Sequence, residues 1–293
     1  ASNPEFLREG QAVEDTLRPD RVVVGVASEM VAEALREVYA PVLEEHGCPY
    51  IETDLATAEL IKHASNAFLA TRISFINTVA RICEEVGADV EVVAEGMGHD
   101  HRIGPHFLNA GIGFGGSCFP KDVDAFIHVA RSVGVDFGIL EEVRNVNQTQ
   151  LGLVLDKLRH ELWHLEGKTI ALLGAAFKPG TDDLREAPAI KLATQLLEEG
   201  AKVRIYDPVA LPEVKERLPE VECVDDPIAV CDNAHAAVVC TEWPEIAALR
   251  GEQLAKALAY PIVVDGRNCL DGADMVAAGL NYHAIGRPPL ATS

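Results

Sequence analysis

The spacing of apolar residues changes twice along this chain. Over the first 54 positions they fall first in a compact β-branched run, "RVVVGVA" (21–27). They then follow helical spacing in "MVAEALREVYAPVL" (30–43) and a brief extended stretch, "PYIETD" (49–54). That succession predicts a buried strand, a helix and a second short strand. From 55 to 163 the helical rhythm takes over. Leu60, Ile61, Ala64, Phe68, Ile73, Ile76, Val79, Ile82, Cys83 and Val86 recur at helical spacing. They predict one helix from about Ala56 to Val86, capped by Thr53 or Asp54 and stopped by Gly87. Its length far exceeds the average of about 11–12 residues. So many apolar positions call for other helices to cover them, and a second subunit is one source of that cover. Shorter helices are predicted at about 89–95, from Pro120 to near Gly134, and at about 139–163.

Beyond residue 168 strands and helices alternate. "KTIALLG" (168–174), "AKVRIYD" (201–207), "AHAAVVC" (234–240) and "PIVVDG" (261–266) read as strands. "APAIKLATQLLEEG" (187–200) and "GEQLAKALA" (251–259) read as crossover helices. Alternation of this kind builds a parallel sheet of Rossmann-like type. The fold class expected is therefore α/β. The tail end of an α/β domain (1–54) precedes a central all-helical block (55–163), and a Rossmann-like parallel-sheet domain (164–293) follows.

Composition narrows the function. With 48% hydrophobic and 24% charged residues, the 293-residue chain can bury a sizeable core. No apolar run approaches the roughly 20 residues of a membrane span. A formal charge of −21 argues against a nucleic-acid surface, although a few cations gathered in one cleft still suit a small anion. The seven cysteines are scattered and form no C-x-x-C pair, so neither a zinc site nor a disulfide framework is expected. A reducing cytoplasm fits that usage.

The stretch "GIGFGGSCFPKDV" (111–123) concentrates the candidate chemistry. Gly111-x-Gly113-x-x-Gly116 has dinucleotide-fingerprint spacing, but such a loop must follow a strand and open a helix. "GPHFLNA" ahead of it is no strand, and Ser-Cys-Phe separates it from the next helix. A flexible interhelix loop is one alternative. A loop that brings backbone close to a ligand beside a reactive side chain is the better one. Cys118 is either a small buried hydrophobe or a nucleophile. Pro120 favours a first helical turn, which puts Cys118 just before a helix N-terminus that stabilises thiolate, with Lys121 nearby. Asp122 opposes a thiolate and suits a proton- or water-handling role. A Cys–His–Asn hydrolase is a further possibility, although none of the ten histidines sits in a signature. Lys62 and Asn66, one helical turn apart, are donors suited to an oxyanion, or else a solvated lysine and a surface asparagine.

At this point a resemblance enters. "SNPEFLREG" (2–10), "AELIKHASNAFLATRISFINTVARICEEVGADV" (58–90), "DHRIGPHFLNAGIGFGGSCFPKDV" (100–123), "GAAFKPGTDDLREAPA" (174–189) and "VDGRN" (264–268) resemble, in order, the UDP-glucose/GDP-mannose dehydrogenase family. The likeness is to its UDP-glucose 6-dehydrogenase branch. The N-acetylmannosamine branch tends to carry Gly-Gly-His-Cys where this chain has Gly-Gly-Ser-Cys, and the GDP-mannose branch shares Ser-Cys and Pro-Lys-Asp.

The resemblance implies a two-step oxidation of the C6 alcohol of UDP-glucose to the carboxylate, with NAD as cofactor. Cys118 would be the nucleophile, through a thiohemiacetal and then a thioester. Lys62 and Asn66 would stabilise oxyanions, and Asp122 would assist water and Lys62. Glu5 would move protons and help hydrolyse the thioester. Substrate contacts would fall on Glu5, Phe6, Leu7, Arg8, Glu9, Lys62, Asn66, Phe107, Leu108, Asn109, Ala110, Gly111, Gly115, Lys178 and Arg267. Arg102 would reach the sugar of a neighbouring subunit. NAD contacts would fall on Glu9, Lys121 and Arg185. The partners implied are UDP-glucose and a second copy of the chain along the long central helix. The family's N-terminal glycine fingerprint is missing here. Residues 1–54 are accordingly expected to be the last portion of an NAD-binding domain, in a chain that begins at Ala1 rather than Met. GDP-mannose as substrate is one rival, and a catalytically silent nucleotide-sugar-binding and dimerisation module is another.

Overall fold

The computed structural model describes residues 1–288. The chain opens with α1 (Ala12–Leu17), β1 (Val22–Gly25), α2 (Glu29–His46) and β2 (Tyr50–Thr53). β1 and β2 pair in parallel, and Val22, Val23 and Val24 are buried. Ser2 bridges Gly25, so the leading peptide is pinned along the edge of β1. α1 has no counterpart in the sequence reading: its six residues bury nothing and give no apolar rhythm.

The helical block follows as α3 (Leu55–Val86), α4 (Val90–Gly98), α5 (Cys118–Ser132) and α6 (Gly138–Leu162). α3 runs 32 residues. The Asp54 carboxylate caps it by accepting from Thr57 N, and Gly87 ends it in the left-handed region. α5 begins two residues earlier than Pro120 suggests. Proline sits comfortably in a first turn, where its missing N–H loses no bond, so the helix starts ahead of it. Cys118 is thus the first helical residue, behind Ser117 as cap, and not the residue before the helix.

The rest is β3 (Thr169–Leu173), α7 (Pro188–Glu198), β4 (Lys202–Tyr206), α8 (Leu211–Arg217), β5 (Glu222–Cys223), β6 (Ala236–Val239), α9 (Pro244–Ala247), α10 (Gly251–Ala257), β7 (Ile262–Asp265), α11 (Gly272–Ala277) and β8 (Asn281–Ala284). The six strands are parallel in the order β5-β4-β3-β6-β7-β8. The order reverses between β3 and β6, the switch point where open α/β sheets bind ligands at the strands' carboxyl ends. β6 and β7 are buried at every position, the mark of central parallel strands. The edge strands were not expected. β5 has two residues, and β8 alternates polar Asn281 and His283 with buried Tyr282 and Ala284.

Candidate active site

Two helices and one strap of chain frame the site. α3 packs along α5 through Ala67 and Ala70 against Val123 and Ile127. On the same faces Asn66 Nδ2 donates to Asp122 Oδ2 at 2.6 Å, with both residues buried. One turn earlier Lys62 Nζ lies 3.3 Å from Glu5 Oε1 and 5.5 Å above the Phe6 ring. Lys62 therefore takes its carboxylate partner from Glu5, whereas the cation beside Asp122 is the exposed Lys121, at 3.8 Å. That separates two roles the resemblance joins: Asp122 is held by Asn66, and Lys62 is held by the leading peptide.

Cys118 is the one exposed cysteine among the seven. Burial pushes the thiols of Cys231 and Cys240 up to about 12, so they stay protonated and inert. Cys118 instead sits exposed at the first position of α5, with Ser117 Oγ at 3.8 Å from its sulfur. Burial lowers the pKa of Lys178, and Glu9 partly offsets that. A half-buried ammonium of this kind suits a phosphate placed against it.

The strap is residues 5–10. Leu7 N donates to Glu5 Oε2, Arg8 turns outward to Asp15, and the Glu9 carbonyl accepts from Lys178 Nζ at 2.6 Å. The Glu9 carboxylate accepts from Thr181 Oγ1 at 2.8 Å and faces Arg185 at 3.9 Å. The strap thereby runs from α3 to the loop after β3, touching three predicted cations on the way.

The glycine loop 111–116 packs closely against the chain's own backbone. A Cβ on Gly111 would stand 2.7 Å from the Gly266 carbonyl, and one on Gly115 2.5 Å from that of Glu186. Ile112 N donates to Gly266 O and Gly116 N to Arg185 O. The close approach expected of these glycines is thus to the chain's own backbone, on the loops that follow β7 and β3. Arg267 clamps the same seam: its guanidinium donates to the carbonyls of Cys240, Gly113 and Phe177. Those bonds hold the Arg267 guanidinium to backbone carbonyls.

Of the other predicted contacts, Leu108 and Ala110 are buried, and Asn109 is exposed. Phe107 is half-exposed, with a left-handed φ of 61°. Its ring lies 6.2 Å from Phe119, which in turn meets Phe114 edge-on at 5.8 Å. Arg102 is exposed and forked onto Asp100, outside this cluster. Asn77, Asn147 and Gln150, which bond the glycine loop from behind, had no sequence signal beyond polar residues at helix positions that face the core. Among the described residues no helix is long and apolar enough to cross a membrane, and no group of three or more His, Cys, Asp or Glu could hold a metal ion.

Comparison with known proteins gives this geometry a context. Residues 1–43, 56–149 and 171–272 match, in order, the NAD binding domain, the central domain and the UDP binding domain of the UDP-glucose/GDP-mannose dehydrogenase family. Two UDP-glucose 6-dehydrogenases of Bacillus subtilis are 46% and 47% identical over 100% and 98% of the chain. The chain spans 66% and 62% of their lengths. The solved UDP-glucose dehydrogenase of Pyrobaculum islandicum superposes with a TM-score of 0.89 at 39% identity, over 98% of this chain and 63% of that one. A UDP-D-ManNAc dehydrogenase from Pyrococcus horikoshii gives 0.82 at 28%, over 97% and 64%. Three domain models of one family matched in their own order, with relatives aligned along nearly all of this chain, leave one conclusion: the chain belongs to the UDP-glucose/GDP-mannose dehydrogenase family.

Proposed function

We propose that this chain supplies the nucleophile and the nucleotide-sugar site of an NAD-dependent UDP-glucose 6-dehydrogenase, which converts UDP-glucose to UDP-glucuronate. One observation carries the reading: the one exposed cysteine opens α5, the helix whose buried Asp122 is bonded to Asn66 of α3. Lys178, on the loop after β3, binds phosphate at the sheet's switch point. After the C6 alcohol is oxidised to the aldehyde, Cys118 Sγ adds to C6 and gives a thiohemiacetal, whose oxygen Lys62 and Asn66 stabilise. A second oxidation gives the thioester. Water, positioned by Asp122 and Glu5, attacks the carbonyl, the C–S bond breaks, and Cys118 is regenerated with the carboxylate. Exposed Lys121 and Arg185 suit an anionic dinucleotide, and NAD when bound supplies the hydride acceptor for both oxidations.

The same proposal divides the chain at 1–54, 55–163 and 164–293, and places it in the cytoplasm, where seven free cysteines persist. It pairs two copies along α3. Phe68, Phe75 and Ile82 repeat every seven residues, with 63%, 53% and 57% of their surface open. A sustained apolar stripe at that spacing is a helix-packing face. Phe75→Glu is expected to shift the protein to monomer in light scattering, and an unchanged mass would remove this face from the interface. The catalytic reading is tested with Cys118→Ala in the full-length protein, supplied with UDP-glucose and NAD. UDP-glucuronate formation is expected to cease, and a wild-type rate would overturn the assignment. Turnover of GDP-mannose and UDP-N-acetylmannosamine alongside fixes the substrate.

A second reading is favoured by the turn after β1. Residues 26–28, Val-Ala-Ser, connect β1 to α2 without a glycine-rich cradle for a pyrophosphate. The 293-residue chain by itself is then a nucleotide-sugar-binding module without turnover. NADH production by the isolated chain would exclude that.

A further inference from the structure

The glycine loop carries polar backbone atoms into the interior without belonging to a strand, so side chains must satisfy them. Two loop residues are held at both their N–H and C=O. Asn77 Oδ1 accepts from Gly111 N at 2.8 Å, and Gln150 Nε2 donates to Gly111 O at 2.8 Å. Gln150 is fully buried, and its Oε1 accepts from Arg81 Nη2 at 2.9 Å, which fixes the orientation of its amide. Further along, Asn147 Oδ1 accepts from Phe114 N at 2.8 Å, and Asn147 Nδ2 donates to Phe114 O at 3.0 Å. One carboxamide thus reads one residue's backbone as a neighbouring strand would. It can come so close because residue 113 is glycine: a Cβ there would stand 2.9 Å from Asn147 Oδ1.

What this fixes reaches the reacting centre. The Phe114 ring stands perpendicular to Phe119, with centroids 5.8 Å apart, and Phe119 follows Cys118 directly in α5. Phe119 in turn meets Phe107, whose left-handed backbone persists only where neighbours impose it. The path therefore runs from Asn147 to the Phe114 backbone, through the aromatic tier, to the residue beside Cys118.

We propose that Asn147 is a positioning residue for the oxidation: by holding both backbone polar atoms of Phe114 it sets the Phe114–Phe119–Phe107 tier against which the sugar is presented to Cys118. This rests on the functional reading above. Asn147→Asp keeps the acceptor for Phe114 N but sets a carboxylate oxygen against Phe114 O. Asn147→Ala removes both bonds. Two neutral bonds of ordinary strength correspond to a loss of roughly 10- to 100-fold when they act on the bound state.

The experiment uses the full-length protein with Asn147→Asp, Asn147→Ala and, as control, the exposed Asn145→Asp of the same helix. Both Asn147 variants are made so that a folding failure of one leaves the other. Expected is a fall of at least about tenfold in kcat/KM for the nucleotide sugar, with KM for NAD within about twofold and Asn145→Asp unchanged. Backbone hydrogen exchange should accelerate over 107–119 and not in β3, β6 and β7. Faster local exchange with unchanged kcat/KM would make Asn147 merely structural and overturn the proposal. So would an equal fall for both substrates. If the unsubstituted protein oxidises no nucleotide sugar, the functional reading fails separately. Positioning is then judged by the rate at which iodoacetamide alkylates Cys118: a change beyond about threefold in Asn147→Asp supports it, and an unchanged rate sinks it.

Discussion

Gly115→Ala tests whether the glycine loop is held in place by the sheet unit or only rests near it. The added methyl would stand 2.5 Å from the Glu186 carbonyl oxygen and 3.0 Å from both Glu186 C and Phe177 Cβ. Ordinary contact begins about 1 Å further out, and two of the three atoms are backbone, so no flexible side chain can swing away. Gly115 does not have a positive φ, so the whole effect is steric. Glu186 gives little room, because it is already in the left-handed region at a φ of 52° and Gly116 N is bonded to Arg185 O. Overpacking of this sort costs about 1–3 kcal/mol of stability. The catalytic effect should be larger in proportion, since a displacement of about 1 Å at a reacting centre can cost about 100-fold. Denaturant unfolding and UDP-glucuronate formation by the full-length variant check the two figures together. A variant that keeps wild-type stability and rate would show that the loop and the sheet unit separate freely, and the close-approach account of these glycines would be wrong.

Gly152 lies inside α6 with nothing within 4 Å of where an alanine methyl would sit, so Gly152→Ala should stabilise by about 0.5–1 kcal/mol in denaturant unfolding; destabilisation would mean that helix face is covered. Asn66→Ala leaves the buried Asp122 carboxylate without its 2.6 Å donor, at a cost of about 1.5–3 kcal/mol by the same measurement. An unchanged unfolding midpoint would count against the bond. For pH, burial lowers the pKa of His235, which accepts from Thr169 N, and burial outweighs Glu161 in lowering that of His283. Both are neutral-preferring when folded, so the unfolded chain binds protons more readily. Their stabilisation is complete above the ordinary value of about 6.5 and declines as pH falls through it toward the depressed folded values. His235→Gln and His283→Gln together should flatten the urea midpoint between about pH 7.5 and 5.5, and an unaltered slope would refute the assignment.

Much of the fold could be read from period alone. The 32-residue α3 announces itself by apolar spacing, an Asp cap and a glycine stop, because each is a local cause with a local sign. β3, β6 and β7 are compact apolar runs because both their faces are covered. The edge strands escaped notice: β5 is two residues long, and in β8 only Tyr282 and Ala284 face inward. The site divides in the same way. Cys118 stands out beside Pro120 and Lys121 in the sequence. The pairing of Asn66 with Asp122 spans 56 residues, and that of Lys178 with Glu9 spans 169, so no spacing rule can reveal them. Asn147 carries no local sign at all, since its role exists only once the loop has folded against α6.

Glycine spacing misled for a physical reason. A dinucleotide fingerprint needs glycines because a ligand's phosphates must reach backbone N–H groups at a helix start. In 111–116 the same spacing arises because another backbone must approach: the Gly266 and Glu186 carbonyls and the Asn147 amide occupy the space side chains would fill. The two causes predict opposite things on substitution. In a cofactor loop a methyl weakens cofactor binding and leaves the unfolding midpoint nearly unmoved. Here it should part the central helices from the sheet unit, lowering stability and nucleotide-sugar turnover together while cofactor affinity holds. Pattern alone cannot separate them. The strand that must precede a fingerprint can, and "GPHFLNA" forms none.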